Sequence, residues 1–292
     1  MHRDRGTLLA GEEIVSHFIV DETKCRRDGI CVAVCPIAIL TRGEDAPPEP
    51  IPGGEALCIS CGHCVAACPY GACSLDTMPA ESCPAVRPEW RLSPEQAEHF
   101  LRSRRSIRVY KEAAVDQGRL ERLIRTARYA PSGHNRQPVN WLVLSGRESV
   151  RSIAGHAVDW MRSLCAAEPE MSQRMMLDRV VAAWDAGRDM VCRAAPHLVV
   201  THAPKGDVTA PGACMLALAY LELAAPSAGL GACWAGFVHM AALQWRPLQT
   251  ALGLPEGHQF CGALMVGEPR YRYHRLPERR EPVITWRETG AP

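Results

Sequence analysis

Cys58, Cys61, Cys64 and Cys68 follow one another with two, two and three residues between them, and Pro69 closes the run. Four soft thiolates packed this closely can hold an iron–sulfur cluster or a zinc ion. Zinc sites usually take two close pairs separated by a long insert, so the compact run favours iron–sulfur chemistry, with a structural zinc knuckle as the alternative. In runs of this spacing three thiolates hold one cluster and the fourth reaches a second cluster, so a similar run must exist elsewhere.

It does. Cys25, Cys31, Cys35 and Pro36 fall on Cys58, Cys64, Cys68 and Pro69 after a shift of 33 residues, and Gly29 and Val32 fall on Gly62 and Val65. One ligand position breaks the match, because Asp28 stands where the second run has Cys61. Two copies in register make an internal repeat. The pair of runs resembles the two-cluster bacterial ferredoxins, and that resemblance implies crossed ligand sets. One 4Fe–4S cluster would take Cys58, Cys61, Cys64 and Cys35. The other would take Cys25, Cys31 and Cys68, with its fourth iron facing Asp28. A carboxylate is a harder ligand than a thiolate. The second site is therefore expected to hold either a 4Fe–4S cluster with Asp28 or water on that iron, or a 3Fe–4S cluster. The alternative makes Asp28 a solvated turn residue and moves Cys73 or Cys83 in.

The surrounding sequence supplies a scaffold for these runs. Residues 14–20 and 73–78 are apolar and β-branched enough for strands. Prolines 47, 48, 50 and 52 with glycines 53 and 54 make 42–55 a surface loop, and prolines 79, 84 and 88 mark a stiff linker. These features divide the chain into an iron–sulfur domain at 1–80, a linker at 81–93 and a second domain at 94–292.

The second domain opens on Ser93-Pro94-Glu95-Gln96, an N-cap, a proline at the first helical position and a capping box, predicting a helix to about Ser103. Arg104, Arg105, Ser106 and Arg108 follow. Such a cluster is usually an exposed basic turn, but it also supplies the planar donors and the hydroxyl that bind phosphate. Leu120, Leu123, Ile124 and Ala127 then mark an amphipathic helix. Pro131, Ser132, Gly133, His134, Asn135, Gln137 and Pro138 form a rigid loop rich in hydrogen-bonding groups, which taken alone could be a plain turn. A strand follows at 140–144.

Taken together these residues resemble the FMN-dependent nitroreductase family, which carries an Arg-Arg-Ser-x-Arg-x-aromatic run, a helix, and then Ala-Pro-Ser-x-x-Asn-x-Gln-Pro. The likeness continues through Gly229-Leu230-Gly231-Ala232-Cys233-Trp234-Ala235-Gly236, Val266-Gly267-Glu268-Pro269 and Arg279-Arg280-Glu281-Pro282. It covers about 95–287 and implies a ferredoxin–nitroreductase fusion of α+β class, a ferredoxin-like domain followed by an FMN-binding α+β sandwich. Carried over, Arg104, Ser106 and Arg280 would hold the FMN phosphate or ribityl chain, with Arg105 and Arg279 as neighbours. Arg108 would lie toward the pyrimidine end, where a cation stabilises a reduced flavin. Ser132, Asn135 and Gln137, in the loop with Pro131 and Gly133, would bond the ring and ribityl hydroxyls. Cys233, Trp234, Ala235 and Gly236 would lie against the ring near N5; many relatives carry an acidic residue where Ala235 stands. The resemblance also implies a homodimer, with the tail through Trp286 packed on the partner.

The remaining sequence bounds the function. The chain has 292 residues, 47% hydrophobic and 22% charged, with a net charge of +1, which gives no case for nucleic acid or an anionic membrane as partner. Fourteen cysteines, seven of them in cluster-like spacing between Cys25 and Cys68, argue for a reducing compartment rather than a disulfide scaffold. The N-terminus lacks an apolar signal core, so a cytoplasmic protein is expected. The apolar stretch 213–243 is broken by Glu222, Pro226 and three glycines, predicting a helix buried on all sides, a tight turn and a buried strand rather than a membrane span. Residues 149–194 say least. Helical spacing is plausible at 175–191, and Met161, Met171, Met175 and Met176 fit core filler better than a substrate cover. The histidines show no metal-ligand spacing.

The expected activity is that of an oxidoreductase. Electrons from an external donor, such as a small ferredoxin, would pass through the clusters to FMN and on to a small acceptor: a nitroaromatic, a quinone, an activated alkene or a halogenated aromatic. No catalytic side chain is named, because orientation over the flavin suffices. The alternatives are a relay that passes electrons to a protein partner, and a dehalogenase or dehydrogenase on the same scaffold.

Overall fold

A computed structural model describes residues 17–287. The N-terminal residues 1–16, including positions 14–16 of the expected first strand, lie outside them. The chain divides into two compact units. The first runs to Arg91 and takes in Ser132–Arg136; the second comprises Leu92–Pro131 and the chain from Gln137 onward.

The first unit contains β1 (Phe18–Val20), α1 (Ile30–Ala33), β2 (Leu40–Thr41), β3 (Glu49–Pro50), α2 (His63–Ala67) and β4 (Cys73–Leu75). β1 pairs antiparallel with β4, placing Val20 opposite Cys73, and β2 pairs with β3. β4 is shorter than the 73–78 expected, because the chain reverses at Asp76 and Thr77: Met78 N donates to Leu75 O at 2.8 Å and Leu75 N to Met78 O at 3.1 Å. The repeat extends to the backbone. Left-handed residues recur in the same register, Arg27 (φ 57°) with Ser60 (φ 48°), Gly29 (φ 75°) with Gly62 (φ 71°), and Ala38 (φ 52°) with Gly71 (φ 60°). Left-handed backbone is unfavourable for Arg, Ser and Ala. Its duplication shows that both runs are bent into one shape, with a glycine opening each short helix.

The second unit contains α3 (Pro94–Ser103), α4 (Gln117–Ala127), β5 (Asn140–Ser145), α5 (Arg147–Ala167), α6 (Pro169–Arg174) and α7 (Leu177–Asp185). It continues through β6 (His197–Pro204), α8 (Ala210–Ala224), β7 (Gly231–Trp234), α9 (Gly236–Gln244), α10 (Arg246–Leu252) and β8 (His258–Gly267). The capping box forms as the sequence predicts: Gln96 N donates to Ser93 Oγ at 3.2 Å and Ser93 N to Gln96 Oε1 at 2.9 Å.

One antiparallel sheet of order β5-β6-β8-β7 organises this unit. β6 and β8 are central and buried on both faces, so alternate side chains enter different cores. Leu198, Val200, Ala263 and Met265 meet α5, α7, α9 and α10 on one side. Val199, Leu264 and Val266 meet α4 and α8 on the other. Fully burying each leucine or valine contributes about 1.5–3 kcal/mol, so the helix–sheet–helix sandwich is held chiefly from its middle layer.

Two expectations change here. α8 is not buried on all sides: Ala217, Leu218 and Leu221 are in the core, but Met215, Leu216 and Tyr220 keep 41–45% of their surface. Met161 is fully buried and Met175 packs on the same core, whereas Met171 and Met176 are exposed. The helix expected near 175–191 is α7, which starts after left-handed Met176 (φ 54°) and stops at Asp185. No helix among the described residues is long and apolar enough to cross a membrane.

Candidate functional site

In the first unit Cys35, Cys58, Cys61 and Cys64 line one cavity, walled by Phe18, Ile37, Ile39, Leu40, Ile59 and Leu75. This brings together ligand candidates from both runs, three from the second and one from the first. Burial pushes the Cys64 thiol up to about 11, with the charges of Cys61 and Cys58 adding to it. A bound cation reverses that preference, because a coordinated thiol gives up its proton. Among the described residues no three His, Cys, Asp or Glu side chains converge on a single ion. Four thiolates spread around an apolar cavity fit a cluster, where each sulfur takes its own iron.

Of the other ligand candidates, Cys31, Cys68 and Cys73 belong to the same apolar cluster as Cys35, Cys58 and Cys64. Burial opposes ionisation of Cys68, but hydrogen bonds from the Ala72, Tyr70 and Cys73 backbone outweigh it and lower its pKa; Ala72 N lies 3.3 Å from Sγ. Asp28 is exposed, and its Oδ1 accepts Ile30 N at 3.1 Å at the start of α1. Cys83 follows a short turn and donates to Pro79 O at 3.5 Å.

In the second unit the basic run is held along the ends of β7 and β8. Ile107 N donates to Ala232 O at 2.9 Å, Lys111 N to Glu268 O at 2.9 Å, and Arg270 N to Val109 O at 3.0 Å. Tyr110 is buried, its hydroxyl bonding Ile107 O at 2.6 Å, and burial pushes its pKa far up. Gly231 is required at this crossing. A β-carbon there would stand 2.8 Å from Ile107 Cβ and 3.0 Å from Pro269 Cγ, closer than side-chain carbons approach.

Anchored in this way, Arg104 and Arg105 line a cavity of about 420 Å³ together with Arg279 and Arg280. Arg102 lines it as well, and so do Glu278 and Glu281; five guanidinium groups against two carboxylates leave the opening net positive and able to take an anion such as a phosphate ester. Arg104 also donates to Ser106 Oγ at 3.5 Å and to Glu222 Oε1 at 2.9 Å. A separate cavity of about 230 Å³ gathers Arg108, Cys233, Trp234 and Gly236 with Met190, Arg193, Phe237 and Met240. Burial raises the Cys233 thiol, against the Arg108 charge and a hydrogen bond with Ser106. Ala235 N is committed to Ala263 O at 3.0 Å.

The 131–137 loop is divided between the units. Pro131 and Gln137 belong to the second, and Ser132, Gly133 and Asn135 to the first. There Asn135 Nδ2 donates to Ser60 O at 2.9 Å and Ile59 O at 3.3 Å, within the turn between Cys58 and Cys61. His134 (φ 50°), Asn135 (φ 52°) and Gln137 (φ 49°) are all left-handed, a concentration of backbone strain typical of functional loops.

Sequence reasoning missed Glu222 and Asp189. Glu222 accepts Arg104 on one oxygen and Trp234 Nε1 on the other at 3.1 Å. A lone carboxylate inside an apolar helix was the available signal, since buried charges need partners. Asp189 accepts backbone N–H groups from Val191, Cys192 and Ala194 at 2.9, 2.8 and 3.0 Å. It thereby shapes the loop that presents Met190 and Arg193, and nothing in its sequence context marks it.

Residues 101–268 match the nitroreductase family model. The chain belongs to the nitroreductase family. Ahead of that domain, residues 17–70 match the model described as a 4Fe-4S dicluster domain, so an iron–sulfur module precedes the nitroreductase fold. A protein of Archaeoglobus fulgidus, whose name proposes an NADH dehydrogenase/NAD(P)H nitroreductase, is 26% identical over 181 residues, 60% of this chain and 87% of the relative. The fold is shared with a nitroreductase of Bacteroides fragilis solved with bound FMN, at TM-score 0.53 and 19% identity, covering 66% of this chain and 99% of that one. It is shared too with an FMN-bound nitroreductase of Desulfitobacterium hafniense, at TM-score 0.53 and 21% identity, covering 68% and 100%. The expected α+β architecture and oxidoreductase class stand.

Within the nitroreductase domain the Val266–Pro269 motif has a structural role. Glu268 Oε1 pairs with Arg119 Nη1 at 2.5 Å and Oε2 with Lys111 Nζ at 3.2 Å, tying α4 and the basic run to the end of β8. The Arg119 and Lys111 hydrogen bonds lower the Glu268 pKa.

Proposed function

We propose that this nitroreductase-family protein is an FMN-dependent reductase. It takes electrons from an external low-potential donor through two iron–sulfur clusters and passes them to a small acceptor: a nitroaromatic, a quinone or an activated alkene. The observation that carries the reading is the occurrence, in one chain, of a cavity lined by Cys35, Cys58, Cys61 and Cys64 and a net-positive cavity lined by Arg102, Arg104, Arg105, Arg279 and Arg280 with Glu278 and Glu281. The first suits a one-electron carrier, and the second suits the phosphate of a flavin mononucleotide. A bound flavin accepts electrons singly and releases them in pairs, the conversion such a chain needs.

The protein's own groups have defined tasks. Arg104, held in place by Glu222, presents its guanidinium beside Ser106 for the phosphate end. Arg108, in a cavity with Cys233, Trp234 and Gly236, supplies positive charge where a reduced ring gains negative charge. Met190, Phe237 and Met240 give the same cavity apolar walls that favour flat, weakly polar acceptors. No proton donor is assigned, because positioning alone can supply most of the rate. Cys25, Cys31 and Cys68 would hold the second cluster, with Asp28 at the vertex lacking a thiolate. The exposed Met215, Leu216 and Tyr220 on α8, with Val283, Ile284 and Trp286 in the tail, support a homodimer.

Anaerobic purification followed by iron, sulfide and flavin analysis tests the cofactor set. Reoxidation of the dithionite-reduced protein by a panel of acceptors tests the activity. Rapid reoxidation by nitroaromatics or quinones is expected. Absence of FMN would overturn the reading, and reoxidation by a protein partner alone would replace it with an electron relay.

A further inference from the structure

Arg193 stands on the loop between α7 and β6 and lines the cavity of about 230 Å³ that it shares with Arg108. Its backbone is left-handed (φ 57°), and so is that of Ala194 (φ 51°). Two such residues in succession, neither of them glycine, cost free energy that something must offset. Asp189 does so by accepting the amides of Val191, Cys192 and Ala194. The loop is thereby fixed in the shape that brings a guanidinium to the cavity.

That guanidinium has no partner of its own. Arg193 is half-buried, yet among the described residues no carboxylate, carbonyl or aromatic ring engages it. Arg108 donates from Nη1 to Ser106 O at 3.4 Å and meets no carboxylate either. No Asp or Glu lines the cavity. Two like charges on one small opening repel each other, and a partly buried cation without a partner is costly, so an anion seated there relieves both. A reduced flavin ring brings one negative charge, which Arg108 matches. Arg193 is a cation in excess of that need.

We propose that Arg193 is a specificity-determining residue, and that the acceptor is a flat molecule, weakly polar over its ring, that carries a carboxylate at one edge. Met190, Phe237 and Met240 give the ring its apolar walls. The planar guanidinium offers the carboxylate paired N–H donors, a match in both charge and shape. The inference rests on the reductase reading for what happens to that molecule, and on the cavity alone for its charge.

The test uses the full chain, purified anaerobically with its cofactors, and its first arm needs no turnover. Calorimetric titration of the oxidised protein compares Kd for 4-nitrobenzoate with Kd for 4-nitrobenzamide, a neutral molecule of nearly the same shape. The carboxylate should bind more tightly by about tenfold or more. Arg193→Gln should bring the ratio close to one, and Arg193→Lys should keep part of it. Arg188→Gln removes the same charge from an exposed neighbour outside the cavity and should keep all of it. Should Arg193→Gln unfold, Arg193→Gly suits the left-handed backbone and gives the same reading. In the second arm, KM for reduction of the two compounds should follow the same ratio. Equal Kd values in the wild type overturn the inference, as does a ratio that survives Arg193→Gln. Fast reduction of nitroaromatics with no preference for the carboxylate would leave the reductase reading standing and sink this one. Arg193-dependent binding of 4-nitrobenzoate without its reduction would do the reverse.

Discussion

Arg104 and Glu222 form an ion pair at 2.9 Å between the basic run and the last turn of α8, with side-chain exposures of 26% and 7%. Trp234 Nε1 occupies the other carboxylate oxygen at 3.1 Å. The phosphate-binding candidate, the longest apolar helix of the chain's C-terminal half and the end of β7 are thus joined through one carboxylate.

Removing the two partners should have unequal effects. Arg104→Ala strands a buried carboxylate, whereas Glu222→Gln leaves a neutral acceptor and a guanidinium that can reach solvent. The first should cost about 3 kcal/mol and the second about 1–2 kcal/mol. Urea unfolding followed by tryptophan fluorescence measures both, and equal losses would contradict the argument.

Gly231→Ala should push the basic run away from β7, since its β-carbon would meet Ile107 and Pro269. Overpacking of this kind costs about 1–3 kcal/mol. The expected result is a lower melting temperature with reduced flavin content, while the iron content of the N-terminal module is unchanged.

Acid should weaken the nitroreductase unit in two stages. His197 is 1% exposed; Val115 N donates to its Nε2 at 2.9 Å, so Nδ1 carries the proton and faces Ser145 Oγ at 3.2 Å. Burial lowers its pKa below 6.5. The unfolded chain therefore takes up a proton before the folded one, and stability falls as pH drops through about 6.5 toward the folded value. His202 and His239, also lowered by burial, act in the same direction. Glu268, lowered from 4.5, contributes stability above that pH and loses it below. Urea midpoints should fall from about pH 7.5 to about 5.5, and His197→Asn should flatten that slope while costing about 1–2 kcal/mol at the higher pH.

Asp189→Ala should release the three amides its carboxylate caps. Hydrogen exchange at Val191, Cys192 and Ala194 is expected to quicken by at least tenfold, equivalent to about 1.4 kcal/mol or more, while β6 stays protected. Asp189→Asn should preserve the two bonds at Oδ1 and release chiefly Ala194.

Much of this organisation could be read from residue type and spacing. The cysteine runs, their register and the capping box at Ser93 are local, so sequence carries them. The left-handed backbone at Arg27, Ser60 and Ala38 was invisible because nothing in those residue types demands it; the bend comes from the module they wrap. Glu222 looked like an interruption of an apolar stretch, since its partner Arg104 is 118 residues away. Asp189 makes only local bonds, but in a loop whose shape no periodicity announces. The strand expected at 73–78 was too long because Asp76 and Thr77 form a tight reversal inside a stretch that otherwise suits a strand.

The hydrogen bond from Asn135 to Ser60 spans 75 residues and lies within the first compact unit. That unit cannot be completed when residue 91 leaves the ribosome. At about 5–20 residues per second, Ser60 waits roughly 4–15 seconds for Asn135 to be synthesised. During that interval the Ile59 and Ser60 carbonyls, which lie between Cys58 and Cys61, are without their eventual donor. Order of synthesis therefore makes this bond a late one: the first unit is finished only after the chain has already entered the second.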